Sequence, residues 1–74
     1  MKQYQIIRER DGVKEVIETS TRKRDIEKSF NSLMRSFRKE NRYVVIPKNI
    51  SYSIVVFCGE YGGLFETEYY IIAA

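Results

Sequence analysis

The sequence predicts an α+β fold: a four-stranded, mostly antiparallel sheet with one helix packed on one face, in the order β-β-α-β-β. Three observations predict it. Asp11-Gly12 separates two runs of alternating polar and apolar residues, as in a two-residue hairpin. From Arg22 to Arg42 the apolar residues recur at helical spacing. Two apolar runs, 51–58 and 64–73, then flank the glycine-rich stretch 59–63.

The first hairpin, residues 3–19, has its register fixed by the turn. A two-residue loop sets Arg10 opposite Val13, Glu9 opposite Lys14 and Arg8 opposite Glu15. It also sets Ile7 opposite Val16, Ile6 opposite Ile17 and Tyr4 opposite Thr19. Two ion pairs and two aliphatic pairs fall into place, each worth roughly 0.2–1 kcal/mol, and a one-residue slip loses them. Tyr4, Ile6, Val13 and Ile17 then share one face. Gln5, Ile7, Glu9, Lys14, Val16 and Glu18 share the other.

In the helix, Ile26, Phe30, Leu33, Met34 and Phe37 fall within an arc of roughly 100°, the width of a core-facing stripe. Ser20 or Thr21 supplies a capping hydroxyl. The cations Arg22, Lys23 and Arg24 oppose the positive end of the helix dipole, which argues for a first regular turn nearer Asp25. Asn41 suits a left-handed C-terminal residue.

Residues 43–46 (Tyr-Val-Val-Ile) read as a short additional strand stopped by Pro47, which has no N–H for a ladder. For the last hairpin, the register that opposes Cys58 to Phe65, Val56 to Thr67, Ile54 to Tyr69 and Tyr52 to Ile71 collects one continuous apolar face under the helix. Shifting by one sets Ile54 against Glu68 and is rejected for that reason. Val55, Phe57, Tyr70 and Ile72, with Ser53, Glu66 and Glu68, then point away from the helix. Two hairpins joined across one helix resemble the β-grasp arrangement of ubiquitin-like and immunoglobulin-binding protein G domains. The resemblance lies in element order alone. It implies first and last strands side by side and parallel at the centre, and it carries no function.

Seventy-four residues make one small domain, 1–74, without repeats or linkers. The net charge of +3 hides an uneven distribution. Residues 20–48 carry nine basic against three acidic side chains, while residues 49–74 carry three glutamates and no base. Chemistry is sparse. There is no histidine for acid–base work, and Cys58, alone on the expected core face, reads as a small hydrophobe. Glu66 and Glu68 share a strand face roughly 7 Å apart, but a shallow sheet offers no cleft to desolvate them. The stretch 59–63 leads into a strand and not a helix, so it is no phosphate cradle. No metal or cofactor is expected. The N-terminal residues form no apolar leader and no run is long enough to span a membrane, so a cytoplasmic location is expected.

Two contact surfaces remain. The first is the uncovered sheet face, with Ile7, Val16, Val55, Phe57, Tyr70 and Ile72 as a dimer or partner interface, because one helix covers one side only. The second is a basic ridge opposite the apolar stripe: Arg24, Lys28, Arg35, Arg38, Lys39 and Arg42. It extends roughly 27 Å and suits nucleic acid or an acidic protein partner. The expectation is a non-catalytic binding module of accessory or regulatory role, acting as a homodimer through its sheet. The alternative is a nucleic-acid binder using the ridge.

Overall fold

The structure, a computed structural model, describes residues 2–59 and 62–74. Its elements are β1 (Tyr4–Arg10), β2 (Val13–Ser20), α1 (Lys23–Arg38), β3 (Tyr43–Asn49), β4 (Tyr52–Cys58) and β5 (Leu64–Ala73). The sheet has five strands in the order β2-β1-β5-β4-β3, each antiparallel to its neighbours. The expected short strand is a full member of the sheet, and this changes the topology. One more reversal between the helix and the last strand turns β5 around. The first and last strands therefore lie side by side but antiparallel, and the chain departs from the β-grasp arrangement. Gln3 and Ala74 exchange backbone hydrogen bonds of 3.1 and 2.7 Å, continuing this pairing.

The first hairpin follows its turn. Asp11 and Gly12 have φ of 51° and 79°, as a type I′ turn demands. The register runs as expected from Arg10 and Val13 to Ile7 and Val16. A bulge then places Glu18, not Ile17, opposite Ile6 and Ser20 opposite Tyr4. Extra twist at a bulge suits β2, which is a sheet edge. Pro47 sits inside β3 opposite Ser53 instead of ending the strand. The opposite edge tolerates it because an outward-facing N–H is not needed there.

The helix starts at Lys23, despite its early cations. Arg22, in extended conformation, is the N-cap, and no side chain caps the first turn. The Ser20 hydroxyl instead accepts the Arg22 N–H at 3.1 Å. At the other end Lys39 donates to Arg35 and Glu40 to Phe37, which tightens the last turn. Asp11 has the only positive φ among the described non-glycine residues, so Asn41 is not left-handed.

The core is Ile6, Val55 and Tyr69 from the sheet and Ile26, Phe30 and Met34 from the helix. Leu33, Phe37, Tyr4, Tyr43, Val45 and Ile71 pack around it. The helix leaves the Ser20 end of one edge strand and delivers the chain to the Tyr43 end of the other. It therefore crosses the sheet diagonally. No described helix is long and apolar enough to cross a membrane.

Candidate functional site

The last hairpin corrects the expected outer face. β4 and β5 pair with Phe57 opposite Phe65, Val55 opposite Thr67 and Ser53 opposite Tyr69. This is the register rejected on sequence grounds, and it inverts the parity of β4. Val55 is 2% exposed in the core under the helix. Phe57 lies on the same side, its ring 5.2 Å from that of Tyr43. Neither belongs to the open face. The cost that argued against this register is small, because Ile54 opposite Glu68 falls on the solvent side, where Glu68 keeps its water. Ile54, Val56 and Cys58 take the outward positions, so Cys58 is partly exposed and not a core residue.

The outer face can be read in rows across the sheet. Val16, Ile7, Tyr70 and Tyr52 form one row. Lys14, Glu9, Glu68, Ile54 and Ile46 form the next, and Glu66, Val56 and Val44 a third. Ile72 lies beyond the first row, opposite Gln5. Ile7, Val16, Tyr70 and Ile72 thus stand where expected. Tyr52, Ile54, Val56, Val44 and Ile46 join them from strands whose two apolar faces alternation could not tell apart. The apolar groups form an L around an acidic corner of Glu9, Glu66 and Glu68. Within it, Ile7 and Val56 are buried, while Val16, Val44, Ile46 and Ile72 remain 37–52% exposed. The Tyr70 hydroxyl donates to Glu9 at 2.9 Å, and its ring stacks on Tyr52 at 6.0 Å. Burial, then hydrogen bonding to Glu9 and to Glu68 respectively, raises the phenol pKa of Tyr70 and Tyr52.

Arg24, Lys28, Arg35 and Arg38 lie on α1, Lys39 is its C-cap and Arg42 stands in the following turn. All six are exposed. The ion pairs among the described residues, Arg8–Glu15 and Lys14–Glu9, are both in the first hairpin. No salt bridge reaches Arg24, Lys28, Arg35, Arg38 or Lys39 among them.

A third feature was not foreseen. Among the described residues, nothing covers one corner of the helix-side sheet face, at the hairpin-turn end. There an open groove of about 730 Å³ lies between Phe37 and Tyr43 on one side and Arg8, Arg10 and Val13 on the other. Its floor is Phe57, Phe65 and Thr67. The groove was legible only with the true register, which places Phe57 beside Phe65. Among the described residues, no cluster of three or more His, Cys, Asp or Glu side chains stands ready to hold a metal ion. A scan against protein-family models, the curated proteins and the solved structures finds no match to this chain.

Proposed function

We propose that the protein is a non-catalytic binding module that associates with a second copy of itself through the outer sheet face. The carrying observation is that Val16, Val44, Ile46 and Ile72 remain substantially exposed around Ile7 and Val56, on a face that no element of the described chain covers. Monomers rarely keep such contiguous apolar surface wet. Five strands about 4.8 Å apart and seven residues long span about 24 by 23 Å. That planar footprint, about 550 Å², is about two thirds of the roughly 800 Å² of accessible surface per partner that standard stable interfaces bury. Two such faces stacked about 10 Å apart make a β-sandwich, with Tyr52 and Tyr70 as central anchors. The edges disfavour the other mode of self-association, strand addition, because one edge carries a bulge and the other Pro47.

Light scattering coupled to size exclusion tests the reading. Wild type is expected as a dimer, and Ile46→Glu and Val16→Glu as folded monomers with unchanged circular dichroism. A wild type that stays monomeric at millimolar concentration overturns it. The alternative, nucleic-acid contact through the ridge, is favoured by the exposed cations Arg24, Lys28, Arg35, Arg38 and Lys39, which form no salt bridge among the described residues.

A further inference from the structure

The outer sheet face carries two carboxylates where a purely apolar contact surface would carry none. Glu9 on β1 and Glu68 on β5 are direct cross-strand partners and share that face. Like charges placed opposite one another on a sheet repel. Glu66 stands two residues before Glu68 on the same strand, roughly 7 Å along it. The pair is not marginal. β5 is the central strand, and Glu68 belongs to the row Lys14, Glu9, Glu68, Ile54 and Ile46, which runs from one sheet edge to the other. Both carboxylates are half-buried in the single chain.

The groups that face the pair do not neutralise it. From β2, Lys14 approaches Glu9 to 3.8 Å, but its side chain is 68% exposed and the attraction is screened. The Tyr70 hydroxyl on β5 donates to Glu9 at 2.9 Å, and the Tyr52 phenol on β4 is the hydrogen-bond partner of Glu68. β3 brings Val44 and Ile46 to these rows, and Lys48 lies beyond them, at the register shift between Pro47 and Asn49. An ionised carboxylate has about four acceptor sites, so one phenol each leaves most of the solvation to water. A second sheet that covers Ile46 near one edge and Val16 near the other also covers the central strand between them. Stacking therefore removes that water. Burial without a full set of partners favours the protonated carboxyl, and so does a like charge beside it.

Resting on the dimer reading above, we propose that self-association through the outer face is coupled to protonation of Glu9 and Glu68, so that the dimer tightens as pH falls. Linkage fixes the direction: the covered face binds more protons than the open one, so acid favours the covered state. One proton relieves two costs, because a protonated carboxyl can donate to the carboxylate opposite it. The chain has no histidine, so the response belongs to the acidic side of neutrality, where glutamates titrate.

Sedimentation equilibrium between about pH 7.5 and about pH 5, at a fixed ionic strength of about 150 mM and with a chelator present, reads the dimer constant. Wild type is expected to gain affinity about tenfold or more over that range. Glu68→Gln keeps the shape and removes the charge. It is expected to dimerise about tenfold more tightly than wild type at about pH 7.5 and to lose most of the pH response. Glu9→Gln should act in the same direction, and it covers the case in which Glu68→Gln fails to fold by circular dichroism. Glu40→Gln, exposed in the turn after the helix, should change neither constant nor slope. A dimer whose constant is the same at every pH, or that loosens in acid, overturns the proposal and leaves the dimer itself standing. A Glu68→Gln dimer weaker than wild type also overturns it, since the carboxylate would then be binding a cation of the second copy. So does a pH response that survives in the Glu9→Gln/Glu68→Gln double variant, which would assign it to the charge of the rest of the chain. Wild type and variants that all stay monomeric at millimolar concentration at every pH remove the dimer reading, and this inference with it.

Discussion

Tyr69 joins the core to the groove. Its ring is buried against Phe37, and its phenol meets the Arg8 guanidinium. Burial raises the phenol pKa and Arg8 partly reverses the shift. A raised folded-state pKa favours the neutral phenol. Its contribution to stability is whole below the unfolded value, near 10, and is lost as pH climbs through the folded value. Tyr52 and Tyr70 shift in the same direction, so an alkaline decline in stability should be shared among the three. Tyr69→Phe is expected to make the decline shallower without removing it. Urea midpoints measured between about pH 8 and about pH 11 read this directly. An unchanged decline would mean that the phenol ionises as freely in the folded protein as in the unfolded chain.

At the scale of elements, the helix and first hairpin were legible because each carries a strong local rule. Five apolar residues on one arc fixed the helix face, and Ile26, Phe30 and Met34 are the buried ones. The Asp11-Gly12 turn fixed four residue pairs before the bulge intervened, and nothing in the sequence marks Ile17 as the extra residue. β4 was not legible. Ile54 and Val56 on one face, and Val55 and Phe57 on the other, are equally apolar, so alternation carries no information there. Missing that β3 is a full strand removed the neighbour that would have decided it, since Tyr43 pairs with Phe57 and Val45 with Val55. The parity has an energetic test. Val55→Ala should cost about 2 kcal/mol or more, because its side chain is buried in the core. Ile54→Ala removes more atoms and should nevertheless cost less in the monomer. Chemical denaturation of the two variants in a monomeric Ile46→Glu background separates them, and the reverse order would restore the other register.

At the scale of the whole molecule the faces divide by charge. The outer sheet face sets apolar groups around Glu9, Glu66 and Glu68, and the outer side of the helix carries cations. Arg35 and Arg38 in the last helical turn also complement the negative end of the dipole, so part of the ridge has a structural use. If the ridge meets duplex DNA, each neutralised phosphate adds about 0.9 to the salt slope, and five cations would give about 4 to 5. Arg35→Glu should then lower the slope by at least about one and weaken binding at every sequence alike. Titrations from about 50 to about 200 mM salt check this. A flat dependence would leave these cations the task of keeping the helix hydrated.

The two hydrogen bonds between Gln3 and Ala74 have an architectural consequence. Because the outermost paired residues of β1 and β5 already sit in ladder register, a short peptide bridge would circularise the backbone without disturbing any strand. The molecule could then be reopened at the tip between Asp11 and Gly12, giving a permuted chain whose new ends emerge beside the groove. Loop-closure entropy makes the circular form the harder of the two to melt, and a label carried at the original ends reports from the interior strands β1 and β5, at the end of the sheet away from the hairpin tip.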